Sequence, residues 1–213
     1  MRVFLSPSQQ EHNAYAGKLG VESTHARRVC NAAAKVLKDS GVIVAVCKDY
    51  THLPEPSDYY SAIGESNRWN PDIHVAVHTN AGGGRGTYTY YTSTAGKTLA
   101  EFLQKAVAVV SPGKERDSGL RHTDGFAELN LTLCTAVLIE LEFHDWLTGA
   151  KYITSHPTLL GEALANGILK YGGISPNKHS TKQVQLRKLF LSMSASEQEW
   201  VLKYAPRWHE EGG

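Results

Sequence analysis

The sequence predicts an α/β fold: a mostly parallel, twisted sheet with helices on both faces, plus a short C-terminal helical extension. Three observations carry this expectation. Short apolar runs rich in β-branched residues recur at 2–5, 42–47, 73–77 and 136–141. Stretches of helical period separate them, and strands alternating with helices pair in parallel and cover both faces of a sheet. The chain has 213 residues, 41% of them hydrophobic, enough for one good core with a small appendage.

Each element has its own justification. Residues 2–5 form a short apolar strand stopped by Ser6-Pro7-Ser8, and residues 9–20 are polar, carry Gly17 and Gly20, and read as a loop. From Glu22 the period changes: Ala26, Val29, Cys30, Ala33, Val36 and Leu37 fall at helical spacing until Gly41 ends the helix. Residues 42–47 are a second strand, and 57–69 a helix closed by Asn70-Pro71. Residues 73–77 are a third strand that runs into His78-Thr79-Asn80 and a glycine-rich loop. Residues 87–91 alternate like a fourth strand, and 95–110 form an amphipathic helix. Residues 111–129 carry Pro112, Gly113, Gly119 and Gly125 and read as a loop-rich excursion. Residues 136–141 form an apolar strand broken only by Glu140, and 146–171 hold one or two helices.

A linker-like stretch, Gly172-Gly173-Ile174-Ser175-Pro176-Asn177, divides a domain of residues 1–173 from an extension of residues 174–213. Beyond it, Val184, Leu186, Leu189, Phe190 and Met193 make one apolar stripe. Ser194 and Glu197 match a capping box ahead of a second stripe at Trp200, Val201 and Tyr204. The expectation is a helical hairpin.

Composition excludes several classes. A net charge of +1 gives no general pull toward nucleic acid or an anionic membrane. Cys30, Cys47 and Cys134 are an odd set without a C-x-x-C pair, which argues for reduced thiols in a core. No stretch approaches the roughly 18 apolar residues of a membrane span. The N-terminal apolar run is too short for a signal peptide, so synthesis in the cytoplasm is expected.

The chemistry-bearing residues gather around His78. It stands where a strand gives way to a loop, and ligands of open α/β sheets bind beyond the carboxyl ends of strands. His74 shares a strand face with His78 but lies about 13 Å away at ~3.3 Å per residue, too far for one metal ion at ~2 Å from each ligand. Glu140 is a carboxylate in a strand that otherwise wants burial, so it must face a cleft, a partner or a metal. Glu142 is two residues on and, by the period of a strand, falls on the same face. Glu22 opens the first helix, where the helix dipole favours a carboxylate, and His25 shares its helix face as a rival ligand. His12 lies beside Gln9 and Gln10 in the loop after strand one. That loop, the first helix start and the third strand end can meet at one end of an α/β sheet. Histidine and carboxylate suit Zn2+, with a fourth place left for water.

Two blocks carry a resemblance. Asp72-Ile73-His74-Val75-Ala76-Val77-His78-Thr79-Asn80-Ala81, with Gly86 and Tyr90 beyond, resembles the "D-x-x-x-S-x-H-x-N-A … G" block of the zinc-dependent N-acetylmuramoyl-L-alanine amidases. Ala136-Val137-Leu138-Ile139-Glu140-Leu141-Glu142-Phe143-His144-Asp145 resembles their "P-A-V-L-V-E-x-x-F" block, and Ser66-Asn67 and Gly20 fit the same order. The resemblance covers residues 1–173. It implies one Zn2+ held by His, Glu and His beside a catalytic glutamate. It also implies hydrolysis of the amide between N-acetylmuramic acid and L-alanine in peptidoglycan. Carried over, Glu22 and His78 are zinc ligands and Glu140 is catalytic; Asn80, Glu142 and Tyr90 are candidate substrate contacts.

The first ligand departs from the pattern. Where the family has Asp-Pro-Gly-His, this chain has Ser6-Pro7-Ser8-Gln9. His12 is the favoured substitute, with Gln10 or Gln9 as rivals through a side-chain oxygen. Family members act on the cell wall as phage endolysins, autolysins and spore enzymes, and a chain without a signal peptide fits release through a holin pore or lysis. Two other functions stay open at this point: a non-catalytic peptidoglycan-binding module and a zinc carboxypeptidase-like peptidase.

Overall fold

In the computed structural model, the described residues are 1–50, 55–113 and 119–175, with Leu189, Met193, Ser194, Ser196 and Glu197 beyond. The chain divides into two compact units, Met1–Asn177 and Lys178–Gly213.

The first unit is built on a six-stranded mixed sheet. Its strands are β1 (Arg2–Pro7), β2 (Ile43–Val46), β3 (Ile73–Asn80), β4 (Tyr88–Tyr91), β5 (Gly119–His122) and β6 (Thr135–Phe143), in the order β2-β1-β3-β6-β4-β5. All neighbouring pairs are parallel except β4 with β6, which is antiparallel. The sheet is therefore mostly parallel. The helices are α1 (Glu22–Asp39), α2 (Glu55–Trp69), α3 (Thr94–Ala108), α4 (Ala127–Asn130), α5 (Leu147–Ser155) and α6 (Pro157–Tyr171).

The central strands β3 and β6 read as near-continuous apolar runs because both of their faces are covered. Ala76, Ala136 and Leu138 pack with Leu129 of α4 and with Tyr90 and Phe126 on one side. Val137, Ile139 and Leu141 alternate to the other side and are fully buried. Helix α6 packs against both α1 and α3, and α3 lies on β6. Gly161 of α6 makes the first contact close: a Cβ there would meet Ala32 Cβ at 2.6 Å and the Val29 carbonyl at 2.7 Å.

The loop-rich reading of 111–129 is too coarse. That stretch contributes β5 and the single-turn α4, both four residues long. Elements this short fall below the length at which periodicity can be read. Residues 146–171 resolve into two helices, broken at His156-Pro157, because proline at the first helical position starts a new helix.

Beneath the sheet's working end lies a buried polar chain. His74 is fully buried; its Nδ1 meets Ser66 Oγ of α2 at 2.8 Å and its Nε2 meets Glu128 Oε1 of α4 at 2.8 Å. Its ring stacks on Phe4 of β1 at 5.4 Å between centroids. His74 is thus a core histidine, and the pair ties α2, β3 and α4 together. Burial pushes the Glu128 carboxyl up, but the His74 bond and charge outweigh it and hold it below the ordinary range.

In the second unit, Ser194 and Glu197 bond reciprocally. The Ser194 backbone N–H donates to Glu197 Oε2 at 2.7 Å, and the Glu197 N–H donates to Ser194 Oγ at 3.4 Å, the geometry of a capping box. The other residues of the expected hairpin stripes, apart from Leu189 and Met193, lie outside the described residues.

Candidate active site

The site is assembled from three segment ends. Strand β1 ends at Pro7, and the loop after it folds onto the start of α1. Helix α1 has no side-chain N-cap. Its orphan N–H groups go instead to that loop: the Glu22 N–H donates to the Asn13 carbonyl at 3.0 Å and the Ser23 N–H to the Gln10 carbonyl at 3.3 Å. This pins Glu22 beside the ends of β1 and β3. Glu22 is 1% exposed; its Oε1 lies 2.9 Å from His78 Nδ1 and accepts the Thr79 N–H at 3.3 Å, and its Oε2 accepts from Asn13 Nδ2 at 2.8 Å.

Burial alone would raise Glu22. The hydrogen bond and charge of His78 outweigh it, and the carboxyl sits below its ordinary value. The reciprocal holds for His78: burial pushes it down, but the Glu22 bond and charge leave it raised. The two form a carboxylate–imidazole pair.

Glu140 is the register partner of His78 across β3 and β6. Both line one cleft of about 300 Å³ with Glu22, Gln10 and Asn80. Glu140 Oε2 is buried without a hydrogen-bond partner among the described residues. Burial pushes its pKa up to about 7; His78 pulls it down and the Glu22 charge pushes it further up.

The remaining expected residues divide. Gln9 is turned to the backbone beyond β2: its amide donates to the carbonyls of Pro7 and Lys48 and accepts the Tyr50 N–H at 2.9 Å. The His12 side chain is 77% exposed, 3.8 Å from Glu11, and does not line the cleft. Gln10 does line it, with its Oε1 bonded to the Asn13 amide. His25 Nε2 lies 2.7 Å from the Leu19 carbonyl oxygen, and its ring packs on Tyr15. Tyr90 stands behind the cleft wall, edge-on to Phe126 at 5.1 Å.

Glu142 departs from the period-two expectation. The register slips between His78 and Asn80, so that Asn80 pairs with Phe143. Glu142 is fully buried away from the cleft, where its carboxylate accepts from the N–H groups of Gly86 (2.7 Å), Phe143 (2.9 Å) and Gly113 (2.9 Å) and from the Ser111 hydroxyl. It holds two loops to β6 and has no face left for a substrate. Asn13, and His144 at the end of the second block, were given no role from the sequence, and both line the cleft. The signal for His144 was its position just past the end of β6, as His78-Thr79-Asn80 closes β3.

A buried carboxylate–imidazole pair facing a second carboxyl held near neutrality, beyond the carboxyl ends of parallel strands, is the equipment of a hydrolase. The family model described as N-acetylmuramoyl-L-alanine amidase matches residues 6–170, and the chain belongs to that family. It is accordingly an amide-cleaving hydrolase. No curated protein matches the sequence. Among solved structures, the catalytic domain of the amidase CwlV from Bacillus (Paenibacillus) polymyxa var. colistinus is similar, with a TM-score of 0.70 at 20% identity over 82% of this chain and 99% of that one. Ami1 from Mycobacterium smegmatis aligns with a TM-score of 0.69 at 19% identity, covering 81% and 97%. The catalytic domain of the CD27L endolysin, which targets Clostridia difficile, aligns at 0.68 and 20%, covering 80% and 97%. At these identities the likeness is one of fold.

Proposed function

We propose that this chain is a metal-dependent peptidoglycan amidase that cleaves the bond between N-acetylmuramic acid and L-alanine. The observation that carries the reading is Glu140, a carboxyl raised to about 7 by burial, paired across the strands with the His78–Glu22 couple. A general base works best when its pKa lies near the operating pH.

The donor set suits Zn2+ in part. Glu22 and His78 supply a carboxylate oxygen and an imidazole nitrogen side by side. No group of three His, Cys, Asp or Glu suited to a metal occurs among the described residues. Gln10 lines the same cleft, and its amide oxygen, which accepts from the Asn13 amide, has a second lone pair to offer as third donor, whereas His12 is exposed and Gln9 is turned away to the Pro7, Lys48 and Tyr50 backbone. The orphaned Glu140 Oε2 marks a place where a polar partner belongs. We therefore assign Glu22, His78 and Gln10 to the ion. When bound, it would polarise the scissile carbonyl and lower the pKa of an attacking water.

The chain's own residues do the rest. Glu140 accepts a proton from the attacking water as oxygen bonds to the lactyl carbonyl carbon. It returns that proton to the L-alanine nitrogen as the C–N bond breaks, leaving a carboxylate and a free amine. Peptidoglycan is the partner, and the site of action is the cell wall. No helix among the described residues is long and apolar enough to cross a membrane.

Purified cell walls test the reading. Free L-alanine N-termini should accumulate, chelator should stop their release, and Glu140→Gln should abolish it with the fold intact. New reducing sugar ends in place of amines would reject it.

A further inference from the structure

We infer that His144 is a substrate-binding residue: its Nε2 accepts a hydrogen bond from a peptide N–H of the stem that carries the scissile amide. The inference rests on the amidase reading and names a contact that the reading does not supply.

The ring is fixed on several sides. Its Nδ1 lies 3.0 Å from Thr79 Oγ1 and 3.1 Å from the Thr79 carbonyl oxygen. A carbonyl oxygen only accepts, so Nδ1 carries the hydrogen. The Tyr15 hydroxyl donates to the same Thr79 Oγ1 at 2.9 Å, and the Tyr15 ring stacks on His144 at 5.0 Å between centroids, 4° from parallel. Backbone bonds hold the residue from both sides: the His144 N–H donates to the Asn80 carbonyl at 2.8 Å and the Ala16 N–H donates to the His144 carbonyl at 2.9 Å.

This arrangement fixes which ring nitrogen is left for a ligand: with the hydrogen on Nδ1, Nε2 faces the cleft, and in that tautomer it is the acceptor. His144 is only 4% exposed and lines the cleft beside Glu140 and His78. Its Nε2 has no hydrogen-bond partner among the described residues, yet it is not among the fully enclosed unpaired atoms, so solvent still reaches it. The ligand that fits is a hydrogen-bond donor. The acceptor stands in the same cleft as Glu140, the group that serves the scissile amide, so the donor it meets belongs to the same substrate. A peptide presents one per residue.

Two variants separate substrate binding from architecture. In His144→Asn, the side-chain amide can still donate to Thr79 but nothing reaches the Nε2 position. In His144→Gln, the longer side chain can place an acceptor there. The full-length chain is assayed on a soluble N-acetylmuramoyl peptide and on walls, with bound metal measured by elemental analysis. His144→Asn should keep its metal content and melting temperature and lose roughly tenfold in kcat/KM, the scale of one hydrogen bond to substrate. His144→Gln should recover most of that loss. Wild-type kcat/KM in His144→Asn, an equal loss in both variants, or loss of metal from His144→Asn would each overturn the inference while leaving the amidase reading intact. A wild-type chain that releases no L-alanine N-termini would fail the amidase reading first and take the inference with it.

Discussion

Glu140→Gln should make the folded chain more stable as it makes the enzyme inactive, and the gain should grow with pH. The carboxyl titrates at 4.5 in an ordinary setting and at about 7 in the fold, because burial opposes its charge. Folding therefore favours the protonated form. The stability that Glu140 contributes is complete below its unfolded pKa and is lost as pH rises through about 7. Each tenfold change in proton affinity is worth about 1.4 kcal/mol, so the wild type forfeits about 1 kcal/mol by pH 5 and about 3 kcal/mol by pH 7 to 8. Glutamine does not titrate, and its fixed cost in the same site is equal at every pH. Urea unfolding of both proteins in chelator, at pH 5, 6, 7 and 8, reads the difference directly. The glutamine variant should gain about 2–3 kcal/mol on the wild type between pH 5 and pH 8. A difference that stays flat, or that shrinks with rising pH, would show that Glu140 ionises freely in the fold and would refute the buried-acid argument.

Two further outcomes are expected. His12→Ala should keep wild-type metal content and rate, because its side chain is exposed outside the cleft, whereas Gln10→Ala should weaken Zn2+ binding by about tenfold or more in a competition titration. Equal metal loss in both would restore His12 to the ligand set. Glu142→Ala should lower unfolding free energy by about 3–5 kcal/mol, since it strips four donors of their buried acceptor. A loss under about 1 kcal/mol in urea titration would show that the loops do not depend on it.

Much of the fold was legible because β3 and β6 are buried on both faces and so read as apolar runs, and because α1 shows its period over eighteen residues. The meeting of Glu22, His78 and Glu140 at one cleft was legible too, since each stands at or near the end of such an element. What escaped had no local signal. The direction of β4 is set by its partner β6 rather than by its own four residues. Glu142 was misjudged because one slipped register undoes strict alternation, and nothing in Leu141-Glu142-Phe143 announces the slip. His12 outranks glutamine as a ligand type, but side-chain chemistry does not say which residue of a loop turns inward. Here Gln10 and Asn13 do, because their carbonyls cap α1.

The buried histidine–glutamate link between β3 and α4 bears on how the enzyme meets a polymer. Phe126, at the head of α4, is part of the cleft wall, and Glu128 two residues on is anchored to His74. Peeling that wall away would strand a carboxylate in the core, so it stays in place whether or not a glycan strand is present. On this side of the cleft the cost of ordering the wall falls on folding rather than on binding, because the wall is tied to a buried ion pair.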